Sequence, residues 1–132
     1  MKAYDKSIEI NPKNYGAWHD KGITLSQLGK QNETIKDYDA AILINPRDSD
    51  SWKNKGNALY GLNKNDEAII AYDKAIELNP HNSYAWYDKG LTLQRLGKRA
   101  EAKKAYDKSI EIDPYNSPAL NFNIGTQTTL VR

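Results

Sequence analysis

Cysteine is absent from the 132-residue sequence, which excludes disulfide bonds, thiolate zinc sites and cysteine nucleophiles. Long apolar runs are absent as well, because no stretch approaches the roughly 18 consecutive apolar residues that a membrane helix needs. The first ten residues are polar and partly acidic, unlike a secretory signal. We therefore expect a cytoplasmic protein that has no membrane partner.

A strong excess of one charge is also missing. Nineteen Lys and Arg residues against seventeen Asp and Glu residues give a net charge of +2, which does not favour a polyanion-binding protein. One local excess of cations comprises Arg95, Lys98, Arg99, Lys103 and Lys104. These cations could contact RNA or an acidic partner, but no set of base-stacking aromatic residues accompanies them. We favour a solvated helix surface here and expect no nucleic acid partner.

The sequence contains no catalytic constellation. His19 and His81 are its two histidines, and neither has metal-ligand spacing with another candidate ligand. The glycines do not form a phosphate-binding loop. We therefore expect no enzymatic activity, no metal site and no cofactor.

The sequence does contain a repeat of 34 residues. Four of its five prolines follow this step, at Pro12, Pro46, Pro80 and Pro114. Residues 45–78 and 79–112 are identical at 17 of 34 aligned positions. A fixed period of this size is typical of stacked-repeat proteins, in which neighbouring units bury a continuous core.

Each unit is predicted to contain two helices. In the unit 45–78, Trp52 and Leu59 follow a helical period, and a second apolar stripe runs from Ala68 to Ile76. Pro80 then ends the second helix, because proline cannot continue it.

Small details of the pattern predict how the helices begin and pack. Ser49 and Ser83 stand where an N-cap would begin a first helix. Gly56 and Ala68 would let two helix backbones approach closely, with Trp52 buried at the junction beside Tyr72. One helix pair cannot cover both faces of such a core, so the units are expected to stack.

The units resemble tetratricopeptide repeats, whose pattern places Trp, Gly, Ala, Tyr and Pro at fixed offsets. The residues that carry the resemblance, and that we expect to form the structural core, are Trp18, Gly22, Tyr38, Trp52, Gly56, Ala68, Tyr72, Trp86, Gly90, Ala102 and Tyr106. The chain departs from the family's pattern by having Lys before each glycine, at Lys21, Lys55 and Lys89. A lysine stem can lie along apolar surface with its ammonium in water, so we interpret these lysines as tolerated variation.

The resemblance covers essentially the whole chain. It implies an all-α, right-handed superhelical solenoid of antiparallel helix pairs. We expect a single array over residues 1–132. It begins with the second helix of an incomplete repeat at 1–10, continues with three repeats at 11–44, 45–78 and 79–112, and ends with a C-terminal solvating helix and tail at 113–132.

In this family the first helices line a concave groove that binds a peptide segment of another protein. The family's groove positions fall here on His19, Asp20, Lys53, Asn54, Asn57, Tyr60, Tyr84, Tyr87, Asp88, Leu91 and Arg95. The alternative is that these residues form an ordinary solvated helix face. Tyrosine combines a large apolar ring with a hydrogen-bonding tip, which favours recognition at Tyr60, Tyr84 and Tyr87. The resemblance therefore implies a protein–protein interaction module, a scaffold or adaptor, whose partner is another protein or peptide.

One specialised binding mode of the family is not expected. Repeats that hold the C-terminal carboxylate of chaperones use a Lys and an Asn on one first helix and an Asn on the next. Lys53 and Asn57 match the first pair, but Asp88 stands where the second Asn is needed. Its negative charge would repel a peptide carboxylate, so we reject the chaperone clamp.

The two ends suggest an alternative, structural function. One interpretation is that the chain is a segment of a longer array. The other is that a helix at 117–128 pairs with the helix at 1–10 of another molecule. Such a head-to-tail contact would build chains or rings instead of a closed dimer.

Overall fold

Seven helices follow one another in the part of the chain that the structure describes, residues 2–115 of a computed structural model. They are α1 (Ala3–Ile10), α2 (Tyr15–Gln27), α3 (Gln31–Ile44), α4 (Ser49–Gly61), α5 (Asn65–Leu78), α6 (Ser83–Arg95) and α7 (Arg99–Ile112). The pairs α2–α3, α4–α5 and α6–α7 pack internally and against their neighbours, so the core runs along the array. This arrangement confirms the predicted all-α solenoid of helix pairs. The predicted helix at 117–128 lies outside the described residues.

No helix within residues 2–115 is both long enough and apolar enough to cross a membrane. The longest helices have 14 residues, and each alternates buried positions with charged ones. Their pattern is that of amphipathic helices packed in a repeat.

Asparagine side chains cap two of the first helices. Asn14 Oδ1 and Asn82 Oδ1 each accept a hydrogen bond at 3.2 Å from the backbone N–H three residues on. The prediction that Ser49 and Ser83 are N-caps is wrong, because each is the first residue inside its helix. The Ser49 hydroxyl instead donates to Ala75 O at 2.8 Å and thereby ties α4 to α5.

The turn between the two helices of each unit has a left-handed residue at one repeated position. Gly29 and Gly97 have φ values of 76° and 79°, and Asn63 has a φ of 60°. Glycine and asparagine tolerate this conformation best, which ends the first helix and allows the second to fold back.

Among the described residues, the largest fully buried side chains are three tyrosines, one from the second helix of each complete unit: Tyr38, Tyr72 and Tyr106, each 1% exposed. Each ring lies against a glycine of the first helix in its own unit: Gly22, Gly56 and Gly90 respectively. The missing side chain of the glycine makes room for the ring. The repeat core is therefore built from tyrosine and glycine as complementary shapes.

The tryptophans are only partly buried, which corrects the expectation that Trp52 is buried at the helix junction. Each indole Nε1 donates to the carbonyl of the proline six residues earlier, for example from Trp52 to Pro46 O at 3.2 Å. The ring thus anchors the turn between units while one face stays near solvent. A tryptophan in this position stabilises the fold by less than full burial would.

The lysines before the glycines are more than tolerated variation. Each ammonium lies 5.5–5.7 Å from the centre of the tryptophan ring three residues earlier. Each also pairs with an aspartate of the preceding second helix: Lys21 with Asp5 at 3.3 Å, Lys55 with Asp39 at 2.7 Å and Lys89 with Asp73 at 2.7 Å. A leucine could form neither contact. The lysines therefore link neighbouring units, each partly exposed pair contributing up to about 1 kcal/mol.

Candidate binding groove

The first helices α2, α4 and α6 lie side by side and share one surface of the array, which we call the inner surface. Side chains cross between consecutive first helices. Tyr15 of α2 donates a hydrogen bond to Asp48, which also accepts one from Ser51 Oγ of α4 at 2.8 Å. Asn82, the N-cap of α6, donates to Ser49 Oγ of α4 at 2.9 Å. These contacts fix the spacing of the three helices that carry the predicted groove residues.

A recess of about 240 Å³ opens between α2 and α4 on the inner surface. It is lined by Ile23, Ser26, Gln27, Tyr38, Asn54 and Asn57. The side chain of Asn54 forms a hydrogen bond with Tyr38, whose pKa burial raises to about 12. The recess therefore combines a neutral phenol, one hydroxyl, three amides and one aliphatic side chain.

A polar cluster joins α4 to α6 one unit further along. Asn57 Oδ1 accepts a hydrogen bond from the hydroxyl of Tyr72 at 2.6 Å, and the Asn57 side chain also forms a hydrogen bond with Asp88. The Lys53 ammonium lies 3.9 Å from Asp50 Oδ1 and 5.4 Å from the centre of the Tyr84 ring. Groups from both helices thus satisfy one another before any ligand arrives.

Burial sets the protonation of this cluster. It raises the pKa of Asp88 to about 6, while the charge of Lys53 and the hydrogen bond from Asn57 act in the opposite direction. Burial also raises the pKa of Tyr72 above its usual range. Tyr72 therefore stays neutral as a hydrogen-bond donor, and Asp88 is mostly ionised at pH 7.

A second contact between α4 and α6 involves Arg95. Its guanidinium carbon lies 3.5 Å from the centre of the Tyr60 ring, and Nη1 donates to Tyr60 O at 2.8 Å and to Asn63 Oδ1 at 2.9 Å. The arginine is thus held flat against the tyrosine at the end of the inner surface. Stacking of this kind fixes both side chains at little further entropic cost.

The three tyrosines predicted for recognition are not equivalent. Tyr84 is 57% exposed, whereas Tyr60 is covered by Arg95. The Tyr87 ring lies 5.6 Å from that of Tyr106 and is partly buried, which raises its pKa. Only Tyr84 offers most of its ring to a ligand.

The remaining predicted residues divide between surface and core. Asp20 is exposed, and Leu91 packs against the core cluster around Tyr106. The His19 ring lies between Tyr15 and Tyr38, at 5.7 Å and 5.6 Å between ring centres. Its buried Nε2 has no hydrogen-bond partner among the described residues.

Sequence reasoning missed the contribution of the second helices to the inner surface. The hydroxyls of Tyr38, Tyr72 and Tyr106 reach Asn54, Asn57 and Gln94 on the first helices. A core position that recurs in every unit gives no sign in the sequence that its polar end reaches a surface. The described residues contain no cluster of three acidic, His or Cys side chains that could hold a metal ion.

A fold of stacked helix pairs with an inner surface of first helices defines a helical-repeat protein of the solenoid class. A tetratricopeptide repeat model matches residues 49–82 and 83–116, and a second tetratricopeptide repeat model matches residues 3–36. The chain belongs to the tetratricopeptide repeat family. It is therefore a protein-interaction module in the general sense that describes this family.

Solved structures of the same family align with most of the chain. Two structures of MamA match with TM-scores of 0.83 and 0.81 at 27% identity, over 89% of this chain and 68% and 64% of theirs. The first repeat domain of Spaghetti (RPAP3), bound to the HSP90 peptide SRMEEVD, matches with a TM-score of 0.82 at 26% identity. That alignment covers 89% of this chain and 96% of the other. A comparison with curated proteins gave no match.

Proposed function

We propose that the inner surface binds a peptide segment of a partner protein and that the chain acts as a scaffold or adaptor. The observation that carries this proposal is the recess between α2 and α4, with Ile23 at one side and the amides of Asn54 and Asn57 at the other. An extended peptide needs partners for its backbone N–H and C=O groups, and amide side chains provide both donors and acceptors. The exposed ring of Tyr84 adds an apolar contact on the neighbouring helix.

The charges of the inner surface restrict the peptide. Lys53 and Arg95 are engaged by side chains of this chain, so neither is free to bind a terminal carboxylate. Asp88 already accepts the hydrogen bond that Asn57 could offer to such a carboxylate. The repeat domain of Spaghetti (RPAP3) binds an acidic HSP90 peptide. We infer that this chain prefers neutral or basic peptides instead.

The test uses two substitutions at exposed inner positions, so that the fold is preserved. Ile23 and Tyr84 are 37% and 57% exposed, and Ile23→Asn with Tyr84→Ala removes apolar contacts from both ends of the groove. Binders are first selected on the unmodified protein from a displayed library of random peptides. Affinities are then measured by fluorescence anisotropy, and we expect the double variant to bind about tenfold more weakly or worse.

A matched control changes the same residue types outside the groove. Ile70 lies on α5 and Tyr115 follows α7, and they are 68% and 90% exposed. The variant with Ile70→Asn and Tyr115→Ala should retain full affinity. Selected peptides that bind both double variants equally well would rule out the inner surface as the binding site.

A second candidate function is head-to-tail self-assembly through residues 1–10 and 117–128. It is favoured by one observation: α1 has no fully buried residue, and its Ile10 is 75% exposed. Assembly should make the mass measured by light scattering rise with protein concentration, and Ile10→Asp should suppress the rise. A monomer at every concentration would exclude this function while leaving peptide binding untouched.

A further inference from the structure

A lysine–glutamate pair recurs on the second helices, and one unit lacks it. Lys6–Glu9 on α1, Lys74–Glu77 on α5 and Lys108–Glu111 on α7 are ion pairs at 3.9, 3.4 and 3.4 Å. The corresponding positions on α3 hold Ala40 and Leu43. One unit has therefore replaced a charged pair with an apolar one at a position that faces solvent.

Ala40 and Leu43 both line a recess on the side of the first unit that carries its second helix. This recess, of about 460 Å³, is lined by Pro12, Lys13, Trp18, Ala40, Leu43 and Ile44, and we call it the outer recess. Leu43 is 85% exposed, the most exposed leucine among the described residues. Leu43 lines the recess together with the partly exposed Trp18 and Ile44, and a contiguous exposed apolar surface, unlike a single exposed side chain, is a feature of interaction sites.

The charge at the outer recess indicates what covers it. Lys13 lines the recess, and within residues 2–115 no carboxylate lies within ion-pair distance of its ammonium. Lys21, above the Trp18 ring, is already paired with Asp5 at 3.3 Å. A second copy seated on the recess would have to bring a carboxylate to Lys13, because burying an unpaired cation at an interface is costly. An acidic occupant supplies that carboxylate and pairs with the free cation.

We propose that the outer recess is a second docking site, which takes a segment of a partner protein with large apolar side chains flanked by Asp or Glu. The apolar side chains pack on Trp18 and Leu43, and the carboxylate pairs with Lys13. This site is independent of the inner surface. A single chain can thus engage two partner segments of different charge.

The first test restores the charged pair of the other units. Ala40→Lys together with Leu43→Glu fills the outer recess with an ion pair that three other helices already carry, so the fold is preserved. The probes are arrayed synthetic peptides in which Leu or Phe residues are flanked by Glu, with matched peptides carrying Lys in place of Glu. We expect the acidic peptides to bind the unmodified protein and to bind this variant about tenfold to a hundredfold more weakly.

The second test moves the site to the next unit. Pro46, Arg47, Trp52 and Leu78 are the counterparts of Pro12, Lys13, Trp18 and Ile44 one repeat later. The double substitution Lys74→Ala and Glu77→Leu should therefore create a second outer recess. Titration of the strongest acidic peptide should then show two bound peptides per chain instead of one.

Controls separate the proposal from its rivals. The groove variant with Ile23→Asn and Tyr84→Ala should bind the acidic peptides with unchanged affinity, because it leaves the outer recess intact. Concentration-dependent dimerisation abolished by Leu43→Glu would overturn the proposal in favour of a second copy. Absence of any acidic peptide whose binding depends on Ala40 and Leu43, or preferential binding of the Lys-flanked peptides, would also overturn it.

Discussion

The ring of Tyr72 occupies the space that Gly56 leaves open, so that a Cβ added to Gly56 would lie 2.6 Å from Tyr72 Cε1. The same contact brings the Tyr72 hydroxyl to within 2.6 Å of Asn57 Oδ1 on the inner surface. A glycine in the repeat core thus determines the position of a groove amide. Packing and the candidate site are coupled at this point.

Replacing Gly56 with alanine should destabilise the protein. The new methyl group must displace a fully buried tyrosine ring, and overpacking of this kind costs about 1–3 kcal/mol. Urea unfolding followed by circular dichroism measures the change. Gly16, also helical, has no atom closer than 3.6 Å to its added Cβ. Gly16→Ala should therefore leave the free energy of unfolding unchanged or raise it by up to about 1 kcal/mol. An equal decrease in the free energy of unfolding of both variants would contradict the packing argument.

Tyr72→Ala should destabilise the protein more than Trp52→Ala. Tyr72 is fully buried and holds Asn57, so its truncation should cost about 3–5 kcal/mol, the range for large aromatic residues in cores. Trp52 is only partly buried, and its truncation should cost clearly less. Unfolding midpoints of the two variants give the order. A larger loss for Trp52→Ala would show that the tryptophan is the main anchor of the unit.

Asp88 should make stability depend on pH. Its pKa is raised from 3.8 to about 6 by burial, so the folded chain binds the proton more tightly than the unfolded chain does. The protonated carboxyl therefore favours folding at low pH, and this contribution is lost as the pH rises from about 4 to about 6. Asp88→Asn removes the charge, so its advantage in stability over the unmodified protein should grow through that window and then stay constant.

The matched control for this pH effect is Asp20→Asn, which changes the exposed counterpart of Asp88 on α2. The free energy of unfolding is measured against pH for each variant and for the unmodified protein. The difference between the two cancels the contributions of the other titrating groups, Asp37 among them. A difference for Asp88→Asn that does not change with pH would mean that the Asp88 carboxyl is as well solvated as in the unfolded chain.

Asp88→Asn should also improve binding of an acidic peptide to the inner surface. The peptide SRMEEVD, which the repeat domain of Spaghetti (RPAP3) binds, serves as the probe. At pH 7 the Asp88 carboxylate repels a second carboxylate. It also holds the hydrogen bond of Asn57 and interacts with the positive charge of Lys53, so neither group is available to the peptide. Removing it should strengthen binding about tenfold, as measured by isothermal titration calorimetry. Tighter binding by the unmodified protein than by Asp88→Asn would contradict the proposed preference for neutral or basic peptides.

The order of the helices could be predicted from the sequence because it depends on local rules. The apolar stripes and the stop at Pro80 each depend on residues within a few helical turns, and the 34-residue period repeats them along the chain. The starts of α4 and α6 lie one residue from where the sequence predicts them. Asn82, and not Ser83, caps α6: the Asn82 side chain accepts from the Ala85 N–H, whereas Ser83 is the buried first residue of the helix.

The candidate site could be predicted only in part. Family offsets located Lys53, Asn57 and Asp88, but not their mutual contacts, since these join residues of different units. The half-buried Ala40 and the exposed Leu43 did leave a signal in the sequence. The two residues break a Lys–Glu pattern that the other units keep. Only the structure shows that they line the same recess as Trp18 and Lys13.

The sequence by itself determined the repeat, the all-α class and the family, because periodicity and helix breakers are properties of the chain that survive without its neighbours. The tertiary structure decided which polar groups satisfy one another. Lys55 reaches Asp39 in the preceding unit, and Asn57 joins Tyr72 to Asp88 across three helices. Such contacts depend on distances between stacked units. The pattern identifies the glycines and tyrosines of the core, but the distances follow only from how those residues pack in three dimensions.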